Sequence, residues 1–295
     1  MFRIFATNLR QFSSSARSKL TLCSEKDGVR NIVLNNPKTR NSLSLEMMND
    51  ILGDLTHNLE DKSLRVIVLS SVESPVFSAG HNLKELVGKL PYLFFFFCNV
   101  DQKFQAAEKG EEVHREVFNV ANKLMMAMIE APVPVIGKVN GLAAAAGCQL
   151  IANCDMVICS SKSSFSTPGA TFGVFCSTPG VAVARKVSRM KAAQMLFTGL
   201  PISAQEALSC GLVSSVVPPE ELDAEVDRIC QAISSKSRSV IALGKKFFHQ
   251  QVEMGTKEAF EAAGEVMVRN LSEPDGQEGV RSFVEKRKPI WTHKD

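Results

Sequence analysis

No apolar run in this chain of 295 residues is long enough to cross a membrane as a helix. The most apolar stretch, Gly88-Lys-Leu-Pro-Tyr-Leu-Phe-Phe-Phe-Phe-Cys98, is about half the ~20 residues a span needs, and it contains a proline. No Lys/Arg-rich run is interleaved with aromatics, and a formal net charge of +3 is too slight to point to nucleic acid. The eight cysteines (Cys23, Cys98, Cys148, Cys154, Cys159, Cys176, Cys210 and Cys230) form no CxxC pair and no zinc spacing. They read as free thiols of a reducing compartment, and no metal site is expected. Cys148, Cys154 and Cys159 lie in apolar surroundings and are expected as small core residues.

Acidic residues are missing before Glu25, whereas Arg3, Arg10, Arg17 and Lys19 are basic and Ser13, Ser14 and Ser15 add hydroxyls. Residues 1–19 therefore have the composition of a mitochondrial presequence and are set apart from the fold; the alternative is an ordinary basic tail. With 45% hydrophobic and 22% charged residues, the remainder is long enough to bury one sizeable core.

That core is organised around Pro132–Asp155. Val135, Ile136 and Val139 make a short β-branched run suited to a buried strand. Asn140-Gly141 breaks it, and from Leu142 to Ala152 the chain is small, apolar and free of proline, which favours helix. A second stretch has the same plan: Arg65–Ser70 reads as a strand, Ala79-Gly80 as a turn, and Asn82-Leu83-Lys84-Glu85 as a helix start. Small residues at two helix starts allow tight packing against a sheet. They also allow two N–H groups to converge on one carbonyl oxygen, as in an oxyanion hole.

The motifs favour the second use. NNPKTRNSLS at Asn35–Ser44, VFSAGHNLKEL at Val76–Leu86, VNGLAAAAGCQLIANCD at Val139–Asp155, FTGLPISAQEALSCGLV at Phe197–Val213 and FVEKRKPIW at Phe283–Trp291 follow one another in this order. Together they span most of the chain after Leu20, and they resemble the crotonase (enoyl-CoA hydratase/isomerase) superfamily. The resemblance implies an α/β fold, a crotonase-like spiral of ββα repeats over residues 20–219. A C-terminal helical region over 220–295 is expected to build trimers or hexamers.

Local signals agree with that plan. Asp27-Gly28 is a hairpin turn between Leu20–Ser24 and Val29–Asn35. Ser44 caps a helix bearing Leu45, Met48, Leu52, Leu55 and Leu59, and Glu111–Ile129 resumes a helical pattern. Ser203-Ala-Gln-Glu206 is a capping box, and breaks in the helical tail fall near Ser234–Ser239 and Pro274. Residues 87–112 depart from the family pattern. Within them Gly88–Cys98 is read as a lid over an acyl chain, a patch buried on a partner, or, the preferred reading, an insertion foreign to the fold.

Carried over residue by residue, the resemblance places the oxyanion donors at the backbone N–H groups of His81 and Ala146. The two glutamates of true hydratases fall on Gln149 and Gly169, and neither residue can titrate as a carboxylate. Ser166, Thr167, Cys176, Ser177 and Thr178 stand nearby, and none is an obvious base. The His81 imidazole titrates near physiological pH but is read as a spectator beside its own N–H. Lys38, Arg40, Ala79, Lys84 and Lys286 are the positions implied for coenzyme A, with Arg281, Arg287 and Lys288 adding positive charge near the last. The expectation is a mitochondrial matrix protein of fatty-acid metabolism that holds acyl-CoA thioesters and needs no separate cofactor. Two versions lead, a binding or regulatory protein or a non-hydratase enzyme such as a decarboxylase, thioesterase or isomerase; genuine hydratase activity stands third and needs a base other than these residues.

Overall fold

Short β-branched runs alternate with turn residues through the first two thirds of the chain, and each run becomes a strand of one of two sheets. The computed structural model describes residues 18–87 and 100–293, with side chains from 110 onward in the helix that opens at Val100. Most of the expected presequence and the Phe-rich stretch 88–98 lie outside the described residues.

In chain order, strands β1 (Thr21–Lys26) and β2 (Val29–Leu34) form the hairpin, turned by Asp27 and Gly28 at φ 51° and 77°. Helix α1 (Leu45–Thr56) follows, with the Ser44 side chain accepting from the Met47 N–H. Next come β3 (Val66–Ser71), β4 (Val76–Ser78), the short α2 (Leu83–Leu86) and the long α3 (Val100–Glu130). Strands β5 (Val135–Val139) and β6 (Leu142–Ala144) lead into α4 (Ala146–Ala152), and β7 (Met156–Ser160) and β8 (Ser164–Ser166) into α5 (Ser177–Lys186) and α6 (Arg189–Thr198). Strand β9 (Ile202–Ser203), α7 (Ala204–Ser209) and β10 (Ser215–Val217) close the spiral.

The pairs β3/β4, β5/β6 and β7/β8 each lay one strand on a six-stranded sheet, β1-β2-β3-β5-β7-β10, and the next on a four-stranded sheet, β4-β6-β8-β9, and the last pair, β9/β10, reverses that order. All pairs in the larger sheet beyond the first hairpin are parallel. Its central strand is buried on both faces, as parallel strands covered by helices are. Val66, Val68, Ile136 and Ile158 meet α8 (Leu222–Ser234) through Leu222, Val226 and Cys230 on one side. Ile67, Leu69, Val135 and Val139 join the main core with α1 and α3 on the other.

One element differs from the sequence expectation. Leu142–Ala144 is a strand, and the helix begins only at Ala146. Alanine favours helix, but this segment lies between β4 and β8 and hydrogen-bonds to both, so two ladders outweigh the intrinsic preference.

The helical tail continues with α9 (Arg238–Gln251), α10 (Thr256–Ser272) and α11 (Pro274–Val284). A buried charge cluster ties it to the sheet. The Lys245 ammonium meets Asp155 at 2.8 Å and donates to the carbonyls of Met128 (2.9 Å) and Val133 (3.0 Å), so all three of its N–H bonds are used. The other Asp155 oxygen faces His249 Nε2 at 2.8 Å, and the Val135 N–H donates to the carboxylate at 2.7 Å. Burial pushes the Asp155 carboxyl up, yet His249 and Lys245 outweigh it and hold the group below its ordinary 3.8.

Replacing Lys245 with Met strands a buried carboxylate, and the expected cost is about 3 kcal/mol in urea unfolding at neutral pH. Because the folded-state pKa of Asp155 lies below the unfolded value, the stability it contributes is complete above the carboxylate range. It is lost as pH falls through the folded pKa, which an acid series of the same unfolding curves checks.

Candidate functional site

Two glycines press the two motif loops together. Gly80, at φ +88°, faces the start of α4 so closely that a Cβ there would stand 2.8 Å from the Ala145 Cβ and 3.0 Å from the Ala146 nitrogen. A Cβ on Gly147 would lie 2.6 Å from the Ser78 carbonyl oxygen. Only hydrogen fits at either place.

Side chains elsewhere lock the pair. Ser78 Oγ donates to the Asn41 carbonyl at 2.8 Å and accepts from the Gly80 N–H at 3.3 Å. Asn41 is fully buried in the left-handed region, with φ 49°. Its side chain accepts from the Asn36 N–H at 2.8 Å and donates to the Val76 carbonyl at 3.4 Å. Sequence reasoning passed over Asn41, Ser78 and Gly147. The only signal was an asparagine in a turn, a residue type that tolerates this conformation.

The His81 N–H is left free by its own pairing. Leu43 bridges the residues on either side, donating to the Gly80 carbonyl at 2.8 Å and accepting from the Asn82 N–H at 3.4 Å. The His81 N–H lies on the opposite edge and makes no hydrogen bond among the described residues. Ala146 opens α4, where a first-turn N–H has no intrahelical acceptor, and its N–H is likewise unbonded among the described residues. Ala145 before it sits at φ 49°, ψ −119°, a conformation that costs a non-glycine residue on the order of 1–3 kcal/mol. The Ala145 N–H to the Ser166 carbonyl (2.9 Å) and the Gln149 N–H to the Ala145 carbonyl (3.0 Å) hold it there.

Polar side-chain atoms without partners occur on residues in or next to these segments. Of four buried side-chain atoms lacking a hydrogen bond among the described residues, three are His81 Nε2, Gln149 Oε1 and Thr167 Oγ1. Gln149 lies one helical turn beyond Ala146 and is 4% exposed; Thr167 follows Ser166 directly and is fully buried. The His81 ring places Nδ1 3.4 Å from the Leu43 carbonyl and its edge on Phe118, with centroids 5.4 Å apart. Burial lowers its pKa, which leaves the imidazole neutral at physiological pH. The adjacent carboxylate, Glu85, is committed to structure, accepting from the Leu45 N–H at 3.0 Å and the Asn82 amide at 3.3 Å.

Gly169 is closed off. It sits in the turn Pro168–Phe172, and a Cβ there would stand 2.2 Å from the Val174 carbonyl oxygen and 2.7 Å from Cys176 Sγ. Its N–H donates to that sulfur at 3.2 Å. Burial pushes the Cys176 thiol up, and the Cys148 thiol up to about 12, so neither is a thiolate near neutral pH.

Among the residues implied for coenzyme A, Arg40 and Ala79 are neighbours, the Ala79 N–H donating to the Arg40 carbonyl at 3.0 Å. Lys38 lies in the preceding turn Pro37–Thr39. Lys84 lies in α2, which the Asn82 side chain caps by accepting from the Lys84 N–H at 3.2 Å. Lys38, Arg40 and Lys84 are exposed and form no ion pair among the described residues. Lys286 stands apart. It follows α11 in a tail where Arg287 grips Glu278 with two bonds (2.6 and 2.9 Å) and Trp291 donates to the Ser235 carbonyl at 2.9 Å. That tail reaches Arg65 at the start of β3, whereas the site loops leave from the other end of the strand.

A cavity of about 680 Å³ between the end of α3 and helices α9 and α10 includes none of these residues in its lining. No metal-holding cluster occurs among the described residues, and none of their helices is long and apolar enough to cross a membrane.

The fold and site together define an α/β protein built of strand–strand–helix circuits, with two backbone N–H groups, unbonded among the described residues, just beyond the ends of β4 and β6. The enoyl-CoA hydratase/isomerase family model matches residues 24–294, and the chain belongs to that family, whose crotonase fold it shares. It is 49% identical over 295 residues to the mitochondrial enoyl-CoA hydratase domain-containing protein 3 of Xenopus laevis, covering 99% of this chain and 94% of that one. The human protein of the same name is 50% identical over 273 residues, covering 92% and 84%. The crystal structure of human enoyl Coenzyme A hydratase domain-containing protein 3 superposes with a TM-score of 0.84 at 49% identity, covering 92% of this chain and all of that one.

Gly147→Ala drives a methyl group into the Ser78 carbonyl, and an expected loss of about 1–3 kcal/mol in urea unfolding reports the separation of the loops. Gly244, in α9 with open space around it, is the control; its change to Ala gains about 0.5–1 kcal/mol.

Proposed function

We propose that this protein binds acyl-CoA thioesters and polarises their carbonyl, and that it does not hydrate enoyl-CoA. The observation that carries the reading is a pair of N–H groups, on His81 and Ala146, that the packing of Gly80 against the start of α4 brings together, both unbonded and with no free carboxylate beside them among the described residues. An oxygen between two such donors is stabilised most strongly as negative charge develops on it, as in the enolate of a thioester. The coenzyme A portion lies along the loops of Lys38, Arg40, Ala79 and Lys84, whose exposed cations suit its phosphates. Lys286, held away from those loops within one chain, reaches such a ligand only from a neighbouring copy.

Hydration needs two positioned acid–base groups, one for water and one for the proton at Cα. Gln149 cannot titrate, and Gly169 carries no side chain and has no room for one while Val174 and Cys176 stand where they do. The neutral His81 and buried Thr167 do not make up the loss. An amide at Gln149 and no side chain at Gly169 favour a binding or regulatory role over proton chemistry. Decarboxylation is the reaction most compatible with the two N–H groups alone, since departing CO2 leaves its electron pair in the enolate without a base.

Exposed apolar side chains on the tail, among them Phe260 and Phe283 (85% exposed), suit burial against other copies in a homotrimer or hexamer. The relatives are named mitochondrial, which agrees with placement in the matrix and a role in fatty-acid metabolism.

The test pairs calorimetric binding of butyryl-CoA with turnover of crotonyl-CoA by the purified protein. Binding with no hydration above background is expected, and Gln149→Glu is expected to leave hydration absent, because the second acid has no place at Gly169. Robust hydration by the wild type contradicts the loss of the water chemistry. Failure to bind contradicts the thioester reading.

A further inference from the structure

The segment after α11 is seated by groups that leave no place for an extra proton. His293 Nε2 lies within hydrogen-bonding distance of Arg65 Nη2, just before β3, and Nδ1 faces the Arg238 N–H, at the start of α9, at 3.3 Å. A guanidinium and a backbone N–H only donate, so both ring nitrogens look onto donors. A neutral imidazole can meet the guanidinium with its lone pair. An imidazolium carries two N–H groups and offers an acceptor to neither partner. The neighbouring carboxylate is already full. Asp275, buried at the start of α11, accepts from Ser237 Oγ (2.6 Å), the Thr292 N–H (2.7 Å), Thr292 Oγ1 (2.8 Å) and the His293 N–H (2.9 Å). The two cationic side chains are fixed where they stand. Arg65 donates to the Lys236 carbonyl at 3.2 Å, and Arg238 to the carbonyls of Leu64 (3.1 Å) and Leu59 (2.6 Å).

We infer that His293 is a proton-sensitive latch, which in its neutral form seats residues 291–293 on the Asp275 carboxylate and on protonation releases them. The latch does not depend on the thioester reading. The charged groups facing the ring are Arg65 beside β3, Arg238 on α9 and Asp275 on α11. Burial first, then the Arg65 charge, with a smaller contribution from Arg238, outweigh Asp275 and hold the imidazole below its ordinary 6.5. Docking is therefore complete above 6.5 and is lost as pH falls from there toward the docked-state value. The acids that hold the segment stay ionised over this range. Burial raises the Asp275 carboxyl, yet its bonds from Ser237, Thr292 and His293 keep it below its ordinary 3.8. Glu278, gripped by Arg287, is held at about 2.

The experiment follows amide hydrogen exchange of Thr292 and His293 from about pH 8 to about pH 5.5, corrected for the intrinsic rate at each pH, in the wild type, His293→Gln and Arg65→Met. Wild-type protection of these amides is expected to fall by up to about tenfold for each pH unit below 6.5, the limit for a release that takes up one proton. Amides within α9 are expected to keep their protection. His293→Gln, whose amide offers Arg65 an acceptor that does not titrate, is expected to stay level across the range, and Arg65→Met to show a smaller total fall. Level protection in the wild type overturns the inference whatever the variants do, as does a fall of wild-type size in His293→Gln. A parallel loss within α9 also overturns it, because the whole helical tail is then unfolding. If His293→Gln lacks protection even at about pH 8, Arg65→Met decides, a fall as large as the wild type's being the contradicting result.

Discussion

The backbone N–H groups of His81 and Ala146, unbonded among the described residues, are held by the close packing of the loops that carry them. That constraint governs this structure. Gly80 and Gly147 remove the side chains that would keep the loops apart, and Ser78 and Asn41 fasten the first loop from behind. Ala145 is held in a conformation usually left to glycine, which aims the first turn of α4. The parallel strands β3 and β5 set both loops in place, and the Asp155–Lys245–His249 cluster, joined to the start of β5 through the Val135 N–H, ties the helical tail to the same sheet. Strain at one residue is carried by satisfied groups over a much larger region.

Within that frame the chemistry is defined by neutral groups. Gln149, Thr167 and His81, in or next to the two loops, carry no charge, and Glu85 is engaged by the backbone of α1. Val174 and Cys176 leave no room for a side chain at Gly169, so the loop's shape as well as the residue itself keeps a carboxylate from that position. On the proposed reading, carbonyl polarisation is separated from proton transfer.

Much of this fold was legible in the sequence because its signals are local. The Asp27-Gly28 turn, the Ser44 cap, the Ser203–Glu206 capping box and the β-branched runs of β3 and β5 each depend on neighbours in the chain. The strand at Leu142–Ala144 was not legible, because it is made by ladders on both sides and opposes the preference of its alanines. Nor was the fastening of Ser78 to Asn41, which joins residues 37 apart. Lys245 is one of two adjacent lysines, and nothing in the sequence marks it as the buried one. At the site, sequence could say that Gly169 lacks a side chain but not that the space beside it is filled.

The central claim is that the His81 and Ala146 N–H groups polarise a thioester carbonyl. The most direct measurement is the infrared difference spectrum of bound butyryl-CoA against the same ligand labelled with carbon-13 at the carbonyl. Two hydrogen bonds to the oxygen weaken the C=O bond, so the expected result is a carbonyl band shifted to lower frequency than in water. A bound ligand whose carbonyl band stays at its solution frequency contradicts the account.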